Sequence, residues 1–344
     1  MPAPFLLGLA LGAVLLLSSF SFAGAYRRFL TERRGAGIRA QLLMIAAATL
    51  LILPATSAGT LFGDPVRGLI FAPGLAVIVG AFVFGIGMQL GGGCASGTLY
   101  AAGGGSLRAL LTLAFFIVGA TLASWRAEWW QDWPAPPPLA LAATLGLLPA
   151  LLATLALLAA AAWLAWHLER RRHGTAEPIR RALLWGAVAL AALNFLTLSI
   201  AGRPWAITAA FPLWGAKAVA ALGWDEPAFW PFWEDPTRIE ALLRPFTADL
   251  TTAMDLGMLA GAFLAAILAG RFALGRLTQG EAAASLVGGL LLGIGAVLAS
   301  GCNISAFVSG IASGSLHGWL WIPPALLGNR LGLVLRPHFG LRDA

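Results

Sequence analysis

The sequence predicts an all-α, polytopic helical membrane protein: about nine transmembrane helices, built as inverted repeats with re-entrant, cysteine-bearing loops. Three observations lead there. Hydrophobic residues make up 59% of the 344 positions and charged residues only 11%, where a soluble domain carries about 25% charged residues. Apolar runs of roughly 20 residues recur, long enough to cross a ~30 Å hydrocarbon core. The two cysteines of the chain fall at matching places in two copies of one glycine-rich motif. The length suits a single membrane domain over 1–344. The net charge of +7 would suggest nucleic acid in a soluble chain. Here arginines in short loops carry it and set orientation in the bilayer, so no nucleic-acid partner is implied.

The first helix is expected over 4–25. A cleaved signal peptide is the alternative, but no positive charge precedes the apolar run, whereas Arg27, Arg28, Arg33 and Arg34 follow it, the reverse of the signal order. Further helices are expected over 38–56, 70–90, 107–125, 139–166, 181–200, 250–270, 282–299 and 317–334. Residues 203–223 are also apolar, but Pro204, Pro212 and Lys217 interrupt them. That stretch reads as broken or re-entrant, which membrane depth tolerates only where protein or a watery cavity satisfies the backbone. The Trp- and Pro-rich stretches 124–138 and 225–249 read as an aromatic belt with stiffened loops.

Charge then assigns sides. Loop 27–39 carries five Arg and one Glu, and loop 167–181 five Arg and two Glu. Arg108, loop 271–281 and the tail after 335 are also net positive, whereas 126–132 and 225–249 are net negative. The two groups alternate only if 203–223 does not cross. The positive-inside rule then puts the amino terminus in the periplasm and the carboxyl terminus in the cytoplasm of a bacterial inner membrane.

Residues 79–94, "VGAFVFGIGMQLGGGC", align with 287–302, "VGGLLLGIGAVLASGC", at a constant offset of 208. Beyond the cysteines one residue is inserted, and "GSL" at 105–107 falls on "GSL" at 314–316. The helix before Cys94 and the helix before Cys302 run in opposite directions, so the repeats are inverted. We assign 1–125 to the first repeat, 139–166 to a linking helix and 181–334 to the second repeat. Such pairs hold their ligand near the midplane.

Each glycine cluster, with Gly93 and Gly301, favours a helix break. The chain that follows suits a short helix beginning near Cys94 or Cys302. Helix starts present free amides and the positive dipole end to an anion, and Ser96, Thr98, Asn303 and Ser305 add donors. Two facing thiol-and-amide sites for a small anion are therefore expected. A lone cysteine reads more simply as a small buried hydrophobe. The matched placement of two favours function. A dianion should not sit beside two thiolates, so both thiols are expected neutral while substrate is bound.

Four ionisable groups fall in apolar surroundings, where charge is costly and pairs or lines a path. Lys217 is a candidate for the substrate path and for a pair with Asp255. Asp255, Arg203 and Arg330 are candidates for pairing or gating. Snorkelling from a helix end is the alternative for Asp255 and Arg330, and an interfacial anchor that for Arg203. The histidines form no metal-ligand cluster, no cofactor is implied, and no phosphate-loop motif appears.

With the paired cysteine motifs and "AGRPWAITAAFPLWGAK" (201–217), the chain resembles the YeeE/YedE family of bacterial sulfur-transport membrane proteins. The resemblance implies an inner-membrane, inverted-repeat transporter with nine transmembrane helices. It implies uptake of a small inorganic sulfur anion, thiosulfate in studied members, with selenium links in some relatives. It implies that Cys94 and Cys302 line the path, and that a cytoplasmic sulfur-carrier protein can accompany the transporter. Thiosulfate-uptake members carry a further cysteine near the outer part of the first helix. Here that region reads "LLLSSFSFAGAY" (15–26) and has none, so another sulfur or selenium species fits as well. A membrane thiol-redox protein and a passive channel for a neutral solute are the rival classes. A non-enzymatic transporter is the expectation.

Overall fold

A computed structural model describes residues 2–341. The chain is helical nearly throughout. Among the described residues the one sheet is a hairpin of two two-residue strands, β1 (Thr60–Leu61) and β2 (Asp64–Pro65). Helices α1 (Pro2–Ser18) and α2 (Phe22–Glu32) replace the single helix expected over 4–25. The break falls at "SSFS". Ser19 takes a left-handed φ of 54°, and Ser21 caps α2 by accepting the Gly24 amide. Serine hydroxyls compete for backbone amides in this way and so start a new helix.

Next come α3 (Ala36–Ala58), α4 (Leu75–Gly91), the short α5 (Ala95–Gly103) and α6 (Leu107–Trp125). The linking segment is α7 (Leu141–Leu145) and α8 (Leu147–His173). Gly146, at φ 85°, separates them, so the long helix starts later than 139 and runs through His173. Only 17% of its apolar window is buried, against 61% for the later helix Leu250–Leu268, so α8 faces the surrounding lipid.

The second half holds α9 (Arg181–Ala201), α10 (Ala210–Ala221), α11 (Pro236–Leu243), α12 (Leu250–Leu268) and α13 (Gln279–Leu298). It closes with α14 (Ser309–Ala312) and α15 (Leu316–Leu335). Among the described residues, eight stretches are long and apolar enough to cross a membrane. Helix α15, which carries Pro323 and Pro324, is not among them. The broken stretch 203–223 forms only the 12 residues of α10, about 18 Å of helix, short of a ~30 Å core.

The centre of the bundle is the crossing of α4 and α13, flanked by α6 and α15. It is made by glycine, and its contacts obey the sequence offset. A Cβ on Gly87 would lie 2.7 Å from the Leu292 amide and 2.8 Å from the Gly288 carbonyl. A Cβ on Gly295, 208 residues on, would lie 2.5 Å from the Phe84 amide and 2.6 Å from the Gly80 carbonyl. Gly80 and Gly288 are themselves offset mates. Gly85 packs on Ala325 and Asn329, and Gly293 packs on Phe116 and Ala120, the equivalent positions across α15 and α6. Small residues let backbones approach this closely in membranes, where association is driven by packing rather than by water.

The positive segments gather at one end. Buried Glu169 receives Arg39 Nη2 at 3.0 Å and the Gly35 amide at 3.1 Å, with Arg34 at 3.8 Å. Its other oxygen accepts the Glu177 amide. Arg28 meets Glu177, and Gly280 packs against Phe339. At the other end the Arg67 backbone amide donates to the Gly202 carbonyl, and Gln131 Nε2 to the Pro231 carbonyl. The charge grouping read from the loops is thus a spatial grouping.

Candidate functional site

Both cysteines begin a helical segment. Helix α4 stops at Gly92, whose φ of 83° is a left-handed cap. Cys94 is the N-cap of α5 and its carbonyl accepts the Thr98 amide at 2.8 Å. The Cys94 thiol lies 3.3 Å from Ser96 Oγ. Cys302 follows Gly301, at φ 149°, and caps a π-helical turn over Asn303–Val308 that leads into α14. The Ile304 amide donates to Cys302 Sγ at 3.4 Å, and the Cys302 amide donates to Ser305 Oγ at 3.0 Å. A widened first turn of this kind recurs at functional sites. Both thiols are free and at most 1% exposed.

The two segments come together. Helix α5 packs against the Asn303–Val308 turn. Asn303 Nδ2 donates to the Tyr26 hydroxyl at 3.3 Å. Ser21 sits at the α1–α2 break, five residues before Tyr26. The chain has two cysteines and two tyrosines; Tyr26 bonds Asn303 beside Cys302, and Tyr100 lies on α5, the helix that Cys94 caps. Two buried oxygens here have no hydrogen-bond partner: Thr98 Oγ1 and Asn303 Oδ1. Sequence reasoning missed both tyrosines and Ser21. The signal available was their rarity in an apolar chain.

Cavities open at both ends of the bundle. One, about 430 Å³, is lined by Ser18–Ser21 and by Arg27, Arg28, Arg34, Arg180 and Arg271. The other, about 440 Å³, is lined by Arg67, Arg203, Arg238, Asp249 and Thr251. The second cavity also touches Gly68 and Leu69, whose amide donates to Ser313 at the far end of the Cys302 segment. The first touches Gly24 and Ala25, beside Tyr26.

The Asp255–Lys217 pair does not form. Lys217 Nζ donates to the Leu242 and Arg244 carbonyls, each at 2.7 Å, and so fastens the 225–249 loop. Asp255 is fully buried on α12 and neither carboxyl oxygen has a partner. Its charged neighbours are Asp249 and Arg203. Arg203 Nη2 donates to Thr251 Oγ1 at 2.6 Å. Arg330 is exposed on the outer face of α15 and forms no pair among the described residues, because the helix turns its guanidinium away from the crossing glycines.

A bundle of apolar helices closed around buried thiols, with arginine-rich cavities at both ends, defines an all-α polytopic membrane protein. The model of the sulphur transport family matches residues 17–331, and the chain belongs to that family, the YeeE/YedE group. It is 28% identical to the thiosulfate transporter TsuA of Spirochaeta thermophila over 94% of this chain and 95% of that protein. It is 31% identical to the probable transporter YedE of Escherichia coli over 44% of this chain and 37% of that one. The thiosulfate transporter TsuA of Escherichia coli is 30% identical over 32% of this chain and 30% of its own.

Proposed function

We propose that this protein imports a small sulfur oxyanion, thiosulfate before others, across the bacterial inner membrane, from a periplasmic amino-terminal side. One observation carries the reading. Two buried thiols, a tyrosine hydroxyl and two unpartnered oxygens converge between cavities whose rims are arginine. Buried polar groups are nearly always satisfied, so orphaned ones between two cavities mark the place where a guest supplies the partner. Amides and hydroxyls at the two segment starts replace the anion's water, and the thiols offer weak, polarisable donors to its terminal sulfur.

The offset-related contacts of α4, α6, α13 and α15 support two inverted repeats, 1–125 and 181–334, with the Cys94 and Cys302 segments as re-entrant loops. Each segment rests on the other half: Gly103 packs against Leu259 of α12, and Gly314 against Leu53 of α3. That exchange suits a gate shared by both halves. Release falls at the Arg27–Arg271 cavity, where a cytoplasmic sulfur-carrier protein can accept the product.

The test is uptake of labelled thiosulfate by cells without their own thiosulfate and sulfate uptake, with sulfite, sulfate and selenium analogues as competitors. Saturable uptake displaced best by thiosulfate supports the reading. Uptake no greater than in cells lacking the protein overturns it.

A further inference from the structure

We propose that Asp255 is a proton-binding site that couples anion import to proton entry from the outer side. The inference rests on the transport reading above and adds its driving force. Asp255 lies four residues after Thr251 on α12, one helical turn or about 6 Å deeper. Thr251 lines the outer cavity. On the same helix, Leu259 and Ala262 pack against Gly103 of α5, the helix that starts at Cys94. Asp255 thus lies one turn inward from the outer cavity, on the helix that packs against α5.

Its carboxyl group has zero exposure and no donor on either oxygen. An ionised carboxylate buried without partners costs several kcal/mol, and such groups neutralise instead. In this conformation Asp255 therefore holds a proton. The charged and titratable groups around it are few. Helix α1, its most extensive neighbour, carries none over Pro2–Ser18. Helix α5 offers Tyr100 and its capping Cys94, α10 offers Lys217, which is occupied by the Leu242 and Arg244 carbonyls, and α12 itself is preceded by Asp249. Among the described residues the one cation within electrostatic reach is Arg203, which interacts in turn with Arg67.

Arg203 has two calls on its charge. It lines the cavity that receives the anion, and its Nη2 is bonded to Thr251, a turn away from Asp255. When an anion engages Arg203, the positive charge that favours an ionised Asp255 is offset, and Asp255 holds its proton more tightly. Without the anion, Arg203 eases release of that proton. Anion and proton therefore bind with mutual preference, and linkage makes the preference reciprocal. A neutral Asp255 also spares a passing dianion the repulsion of a buried like charge.

The test uses the full-length protein in liposomes, with an internal pH dye and the membrane potential held at zero by potassium and valinomycin. Addition of sodium thiosulfate should acidify the interior, and one unit of inward-acid gradient should sustain about tenfold accumulation if one proton accompanies each anion. Asp255→Asn should abolish both the acidification and the gradient-driven accumulation. Asp255→Glu should restore coupling. Thiosulfate flux in the wild type without proton movement overturns this inference alone, as does gradient-driven accumulation by Asp255→Asn. Absence of thiosulfate flux in the wild type overturns the transport reading beneath it. If Asp255→Asn does not assemble, the wild-type proton measurement and Asp255→Glu decide.

Discussion

Substitution of Gly87 and of Gly295 by alanine tests the two-fold crossing of α4 and α13. The new Cβ would meet backbone atoms at 2.7 and 2.8 Å in the first case and at 2.5 and 2.6 Å in the second. Ordinary van der Waals contact for such a carbon begins near 3.4 Å, so the two helices must separate by about 0.6–0.9 Å. Backbone cannot swing aside as a side-chain tip can. Overpacking of this kind costs about 1–3 kcal/mol. Alanine returns up to about 1 kcal/mol of helix propensity. The net expectation is a loss of about 1–2 kcal/mol for each variant, or a melting temperature lower by about 1–3 °C, read by thermal unfolding in detergent. Because Gly87 and Gly295 are offset mates, the two losses should be similar, and both should lower thiosulfate uptake. A variant that melts at or above the wild type, or a large effect in one with none in its mate, refutes the reasoning.

Other perturbations probe separate parts of the molecule. Glu169→Ala leaves Arg39 and the Gly35 amide without their buried partner and should cost about 3–5 kcal/mol, seen as a sharply lower melting temperature and easier proteolysis of 27–39. Ser305→Ala removes the oxygen that accepts the Cys302 amide. It should cost about 1 kcal/mol and lower uptake per folded molecule, whereas Ser305→Thr should retain much of it. Asp235 caps α11 by accepting the Thr237 and Arg238 amides, and the Thr237 hydroxyl bond above all holds its carboxyl below the usual range. A lowered folded pKa contributes stability that is present above the unfolded value of about 3.9 and lost as pH falls through the folded one. Amide exchange over Pro236–Leu243 should therefore be slow at pH 6 relative to the intrinsic rate and lose protection below pH 4. Asp235→Asn should remove that pH dependence.

The helical membrane class was legible because hydropathy acts locally: each apolar run reports its own partition into lipid. The matched placement of Cys94 and Cys302 was legible because one offset aligned both cysteines and five glycines or leucines around them, and each cysteine caps a helical segment as the glycine clusters suggested. Local cues also show why 203–223 yields only a short helix. The break at Ser19 was less legible, since "LLLSSFSF" is apolar enough to read as continuous helix and only the Ser21 cap decides the matter. Partnerships between distant residues were not legible. Lys217 and Asp255 were matched by charge alone, but the 225–249 loop folds back and supplies carbonyls to Lys217. Tyr26 joins the site because the chain restarts as α2 and turns its hydroxyl toward Asn303, 277 positions away.

The central claim is that the anion passes between two neutral thiols, and it is tested most directly by labelled thiosulfate uptake in Cys94→Ala and Cys302→Ala, normalised to folded protein in the membrane. Each side chain is small and buried, so alanine should preserve the bundle while removing the sulfur contact. The account predicts that each variant assembles at wild-type levels and loses most of its uptake. Wild-type uptake rates and normal growth on thiosulfate as sole sulfur source in either variant would contradict it.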